Sequence, residues 1–175
     1  TRQVFSQEPF GHVSSDGVIV LRALVSGELE TANRDAETRS LLTFDLSAVP
    51  PKATIRGATL NLQVFRCLGG DIGTLNALRA EWVAFGSVIE PADYDLPALV
   101  PNGGNAASFL MPPVTTDEQN AWKTADLTDM IRGMIDRRAE LGSLFQVRIH
   151  FGDRIAKNGV DTRCAFGTMF TISLT

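Results

Sequence analysis

Long apolar runs and the residues on which catalytic and metal sites depend are scarce in this sequence. The longest apolar stretch, residues 18–25, is too short to cross a membrane and is interrupted by Arg22, so no membrane span is predicted. Two histidines and two cysteines provide neither a zinc site nor a multi-disulfide scaffold. The first residues lack a signal-peptide pattern, although cleavage of a signal would leave the same sequence.

Positive charge is also limited. A net charge of −4 and a pI near 5.1 argue against a general nucleic-acid binding role, which needs a cationic surface. Thirteen of the 16 basic residues are arginine, which suits bidentate ion pairs and interfaces better than lysine does. The 175 residues are enough for one domain with its own core, and no linker or internal repeat divides them.

Period-two alternation is the main pattern that is present. In residues 54–66 the apolar positions Ala58, Leu60, Leu62 and Val64 alternate with polar ones, which predicts a strand with one buried and one solvent-facing side. Further strands are predicted at 18–25, 39–44, 73–82, 144–151, 162–166 and 169–174. The sequence therefore predicts an all-β chain, folded as an antiparallel jelly-roll β-sandwich.

Two segments depart from this alternation. Residues 126–138 carry apolar side chains at helical spacing and precede Gly142, so they predict the one amphipathic helix. Residues 86–116 contain five prolines and predict an ordered surface excursion with one short strand at 107–111. The expected organisation is an N-terminal arm or first strand at 1–16, followed by a single β-sandwich domain at 17–175.

The two cysteines leave two alternatives. Cys67 and Cys164 could form one disulfide bond if they face each other. The favoured interpretation is a pair of free, buried thiols that act as small apolar side chains.

The run RSLLTFDLSAVPPKATIRGATLNLQVF at residues 39–65 resembles the signature of DNRLRE-type β-sandwich domains, which are related to a family of carbohydrate-binding modules. Weaker similarity continues through LNALRAEWV at 75–83 and WKTADLT at 122–128, and the resemblance covers about residues 39–175. It implies a jelly-roll fold and a polysaccharide ligand. It also implies that Trp82 and Trp122 are framework residues, and both are predicted to lie in the core.

No catalytic constellation accompanies these features. His12 and His150 lack a nucleophile at a recognisable spacing, and His150 falls on the polar side of a strand, where we expect it to be solvated. Asp93 and Asp95 are the closest pair of acids, but glycoside hydrolysis would need a cleft between them. The prediction is a protein that is not an enzyme and has no cofactor, with a structural Ca²⁺ held by loop aspartates as an unsupported alternative.

The first functional hypothesis is a non-enzymatic structural or interaction protein. It would decorate or cement a virion, as a homotrimer that clamps major capsid or tail subunits of a phage, and its location would be the virion surface. It draws on the single domain and on Thr1, which fits a natural start after loss of Met. The predicted partner-binding residues are Val4, Phe5, Phe10, Tyr94, Leu96 and Leu99.

The alternative hypothesis is an extracellular carbohydrate-binding module, which the resemblance implies directly. Its predicted glycan contacts are Tyr94 as an aromatic platform and Arg66, Arg79 and Arg148 for an acidic sugar. Neither hypothesis includes a nucleic acid or a membrane as partner.

Overall fold

The computed structural model describes residues 2–31, 33–69, 72, 77–116, 118–152 and 161–174. These residues form one antiparallel sheet with a short helical segment at one end. The strands are β1 (Arg2–Val4), β2 (Ser6–Ser14), β3 (Ile19–Leu21), β4 (Leu24–Thr31), β5 (Arg34–Asp45), β6 (Ile55–Leu68), β7 (Arg79–Val83), β8 (Ala107–Phe109), β9 (Gln119–Asp126), β10 (Leu144–His150) and β11 (Thr162–Leu174).

The sheet curves until its two ends almost meet. Its strand order is β8-β7-β10-β5-β4-β11-β6-β9, and Met111, just after β8, forms a bridge with Thr124 of β9. Off this path, β1 pairs with β11, while β2 pairs with both β3 and β5. The predicted all-β class is confirmed. A nearly closed sheet leaves few free edges and encloses one core.

The alternation in β6 positions that core as predicted. Ala58, Leu60, Leu62 and Val64 are all buried, and they pack with aromatic side chains from the opposite wall. The Phe145 ring lies 6.4 Å from that of Phe44, measured between centroids. The Trp82 ring, also in the core, lies 6.5 Å from that of Phe145.

The predicted helix is present within its predicted bounds. Helix α1 spans Thr128–Asp136, and a short α2 at Arg138–Leu141 continues it as far as Gly142, which has a positive φ of 78°. Asp126 Oδ1 accepts a hydrogen bond of 2.9 Å from the first helical amide, that of Thr128. The apolar side of α1 closes one end of the core.

The N-terminal segment is part of the sheet. In β1, Val4 lies opposite Phe170 of β11, and in β2, His12 lies opposite Ser40 of β5. Of the two alternatives for residues 1–16, the structure has strands rather than a detached arm. Of the strand predicted at 73–82, residues 73–76 lie outside the described part of the chain, and β7 forms from residue 79 onward.

The cysteines are joined. Cys67 of β6 and Cys164 of β11 are register partners with Cα atoms 4.1 Å apart, and their sulfur atoms form a disulfide bond. The favoured interpretation of two free thiols was therefore wrong. The two cysteines are 97 residues apart in the sequence, and their pairing depends on the order of the strands, which the local sequence pattern does not give.

Among the described residues, no helix is long and apolar enough to cross a membrane.

Candidate ligand-binding surface

The polar side of β10 is covered, not solvated. Residues 84–100 fold over it, and Arg148 holds them by donating to the carbonyl oxygens of Tyr94 (3.1 Å) and Leu96 (2.7 Å). His150 is only 3% exposed, so its predicted solvation was wrong. Alternation in the sequence distinguishes the two sides of a strand. It cannot show that a segment distant in sequence covers the polar side. Arg148 is likewise buried, which leaves it no surface for a glycan.

Glu81 of β7 is the centre of this buried polar group. Its Oε2 accepts hydrogen bonds from Arg148 Nη2 (2.5 Å) and Arg148 Nε (3.1 Å), and it lies 3.0 Å from His150 Nε2. The Nε of Arg79 lies 3.4 Å from Glu81 Oε1. Burial raises the pKa of Glu81, but the bonds and charges of His150 and Arg148 outweigh it and lower the pKa to about 2.

Tyr94 belongs to a second part of the same buried group. Its hydroxyl donates to Glu37 Oε2 at 2.6 Å, and the guanidinium carbon of Arg39 lies 4.0 Å from the ring centroid. Burial and the Glu37 carboxylate raise the pKa of Tyr94 above its ordinary value. The Arg39 guanidinium, the Glu37 carboxylate and an apolar cluster thus engage Tyr94 within the fold, so the structure does not present it as a glycan platform.

The predicted partner-binding residues mostly pack inward. Val4, Phe10 and Leu99 are partly buried against the main core. Leu96 packs with Tyr94 against a smaller apolar cluster, which contains Val13, Leu41, Val83, Phe85 and Ile89. Only Phe5, 66% exposed, stays on the surface. The structure does not bring these six residues together into one face.

The histidine and aspartates considered as catalytic candidates each interact with other parts of the fold. The ring of His12 is hydrogen-bonded to the Ala23 carbonyl oxygen at 2.8 Å, and Asp93 Oδ2 accepts a bond from the Glu90 amide at 2.7 Å. The carboxylate of Asp95 is largely exposed, 3.7 Å from Arg39. Among the described residues, no three histidine, cysteine, aspartate or glutamate side chains lie close enough to hold a metal ion.

An unpredicted surface lies on the outer side of β9, β6 and β11. Trp122 was predicted to be a core residue, and that prediction was wrong, because its side chain is 49% exposed. Trp122 of β9 lies opposite Gln63 of β6, which in turn lies opposite Gly167 of β11. Register partners share a side of the sheet, so these three residues form an outward row across three strands.

Phe65 lies outward beside this row, at a β-bulge. Val64 pairs with Phe166 and Arg66 pairs with Ala165, so Phe65 is the extra residue on β6. Since Val64 and Cys67 are both buried, Phe65 and Arg66 both face outward, and the Phe65 side chain is 48% exposed. We call the outward set of Phe65, Trp122, Gln63 and Gly167 the aromatic platform.

Gly167 leaves room for the Phe65 ring on the neighbouring strand. A Cβ atom at Gly167 would lie 2.6 Å from Phe65 Cζ, which is closer than any such contact can be. With glycine there, the Phe65 ring packs over β11 and stays 48% exposed. Arg66 is exposed beside it, and no described residue forms an ion pair with it.

The alternation around Trp122 indicates its outward position, but one charged residue obscures the pattern. Ala125 and Leu127 are buried, so alternation places Trp122 and Thr124 on the outer side. Lys123 obscures this pattern, because it lies on the inward side and is 1% exposed. Its ammonium donates to the Pro113 carbonyl oxygen (3.0 Å) and to Glu118 (2.5 Å), which satisfies the buried charge.

Two grooves continue from the platform. The first has a volume of about 310 Å³. It lies beside β11, between the part of β11 that pairs with β4 and the part that pairs with β1, and its lining includes Phe65, Gly167, Phe10 and Arg22. The second, of about 390 Å³, shares Phe10 and Arg22 with the first and extends to Val88. Together with the platform they form one extended surface.

A cavity of about 420 Å³ lies elsewhere, at the start of α1. Its charged side chains are engaged locally: Arg132 pairs with Asp129 at 3.3 Å and donates to the Ile55 carbonyl oxygen, while Asp126 accepts from Thr128. This cavity therefore offers less free binding capacity than the platform does.

Comparison with known protein families and with curated proteins finds no match to this chain.

Proposed function

We propose that this protein is a non-enzymatic binding module that holds an anionic polysaccharide on the aromatic platform. The observation that carries the proposal is the pair of half-exposed rings, Phe65 and Trp122, on one outward sheet face beside the amide of Gln63. Ring faces pack against the C–H faces of sugars, while amides and guanidinium groups bond to hydroxyls and carboxylates. The likeness of residues 39–65 to DNRLRE-type domains supports the same function.

Arg66 supports an anionic ligand rather than a neutral one. Its guanidinium is exposed beside Phe65, and its fork geometry matches a carboxylate or sulfate group. Arg79 and Arg148, in contrast, surround the buried Glu81. Of the three arginines predicted to contact an acidic sugar, Arg66 is the one that the proposal retains.

Binding without catalysis is supported by the engagement of the candidate acids and bases. Glu81 and His150 bond to each other beneath residues 84–100, where a substrate does not reach them. The disulfide bond between Cys67 and Cys164 fits an oxidising compartment, so an extracellular location is part of the proposal.

The test is the loss of binding on removal of a platform ring. Trp122→Ala and Phe65→Ala should each weaken binding to polygalacturonate, hyaluronate or heparin by about thirtyfold, which corresponds to ~2 kcal/mol for a buried aromatic anchor. Affinity electrophoresis followed by titration calorimetry measures the effect. Val100→Ala, which removes an exposed apolar side chain that lines neither groove, is the control. Failure of the wild-type protein to bind any polyanion, or unchanged binding by both platform variants, would contradict the proposal.

A second candidate function is assembly, as the decoration or cement protein of a virion. The observation in its favour is an exposed apolar patch made of Leu21, Val88 and Val20 beside the short edge strand β3, at the far end of the second groove. Burial of this patch between copies would give the trimer that the sequence hypothesis includes.

Self-association tests the second candidate. Light scattering should give three times the chain mass of 18.9 kDa, and Leu21→Lys should reduce the trimer to monomers. Trp122→Ala should leave the trimer intact, because Trp122 is not part of the Leu21, Val88 and Val20 patch. A monomer over the whole accessible concentration range would exclude this trimer.

A further inference from the structure

The platform is oriented across the strands, not along them. Trp122, Gln63 and Gly167 are successive register partners, so the line that joins them crosses β9, β6 and β11 at right angles to the strand direction. Adjacent strands are ~4.8 Å apart, and an extended pyranose chain advances by about the same length per residue. A chain on this line therefore meets a new strand with nearly every sugar.

The same line continues past β11. The first groove starts at Phe65 and Gly167 and reaches Arg22, and the second starts at Arg22 and reaches Val88. On the other side, Met111 pairs with Thr124 of β9, next to Trp122. The line thus runs from Met111 through the platform and both grooves to Val88.

Both ends of this line are open. Met111 is 52% exposed at one end and Val88 is 62% exposed at the other, so a chain can extend beyond either. Two arginines lie along the line, Arg66 at the bulge and the exposed Arg22, whose ion pair with Glu8 an anionic sugar would have to replace. Repeated carboxylates or sulfates on one polymer complement such spaced cations better than a single terminal group does.

We infer that the polysaccharide crosses the strands along this line and is bound through its internal residues rather than through a chain end. The inference rests on the proposed function and adds the direction, the length and the part of the ligand that is recognised. Arg22 is then a distal contact, which only a ligand longer than the platform reaches.

The experiment is a length series of defined oligogalacturonates or hyaluronate oligomers, whichever polymer binds, studied by calorimetry with the oxidised wild-type protein. Affinity should rise over about five residues, one for each strand spacing covered, and then level off. Reduction or labelling of the reducing end should change the affinity of the long oligomers less than twofold.

Arg22→Ala is the discriminating variant. It should weaken binding of long oligomers about fivefold or more and leave that of a trisaccharide unchanged, because the short ligand remains on the platform. Arg56→Ala, which removes an exposed arginine at the separate 420 Å³ cavity, is the control and should change neither.

The possible failures are distinct. If no polyanion binds, the proposed function itself is wrong. If the polymer binds but affinity is already maximal for a disaccharide, or is lost when the chain end is modified, the function stands and the internal, cross-strand mode is wrong. Equal effects of Arg22→Ala on short and long oligomers would also overturn that mode.

Discussion

Glu81→Gln should lower the free energy of unfolding by about 3–5 kcal/mol, the cost of breaking a buried ion pair from one side. The substitution keeps the shape of the side chain but removes the charge that neutralises Arg148 and faces His150. Both partners are nine-tenths buried or more, so water cannot replace the lost carboxylate. Since Arg148 also holds the carbonyl oxygens of Tyr94 and Leu96, residues 84–100 should loosen as well.

Guanidinium unfolding at pH 7 measures the loss, and hydrogen exchange at the Leu99 amide, which donates to Trp82 O at 2.8 Å, reports the loosening. The matched control is Glu140→Gln. Glu140 pairs with Arg137 on the surface, where solvent screens the pair, so its loss should barely change the free energy of unfolding. Equal losses from the two substitutions would show that the buried group does not stabilise the fold.

The pH dependence of stability should change in the same variant. Glu81 has a folded-state pKa of about 2, against an unfolded value near 4.5, so the unfolded chain binds a proton more readily. The stabilisation by Glu81 is therefore complete above pH 4.5 and is lost as the pH falls toward 2. The variant lacks this component, so the stability difference between it and the wild type should shrink over that range.

The sequence indicated the fold well because strand alternation is a local property. The four apolar residues of β6, from Ala58 to Val64, and the helical stripe of α1 are each read from adjacent positions, and both lie where they were predicted. The same reasoning could not place Cys67 opposite Cys164, because that contact depends on the order of strands distant in sequence.

The candidate surface was less predictable, for two physical reasons. Arg148 and His150 follow a polar alternation that is typical of a solvated strand side, and only the path of residues 84–100 shows that this side is covered. Phe65 continues the alternation of β6, but the bulge beside it turns Arg66 outward as well, an interruption of alternation by one residue that has no sequence mark. Trp122 could have been placed by alternation with Ala125, had the buried Lys123 not masked it.

Removal of the disulfide bond should lower the free energy of unfolding by about 3–5 kcal/mol, because the bond closes a loop of 97 residues and constrains the unfolded chain. The double variant Cys67→Ala/Cys164→Ala measures this loss in guanidinium. Reduction of the wild-type protein measures it with both sulfur atoms retained, which separates the bond from the packing of the side chains. Reductant should have no effect on the double variant.

The bond also matters for the register on which the platform depends. β6 and β11 change register between Ala165 and Phe166, directly beside the cross-link, and a slip of one residue would turn outward side chains inward. The disulfide fixes Cys67 opposite Cys164 and so excludes the slip, which keeps Phe65 over Gly167. Thiol titration of the denatured, unreduced protein should therefore find no free thiol. Two free thiols, or a double variant as stable as the wild type, would contradict this role of the bond.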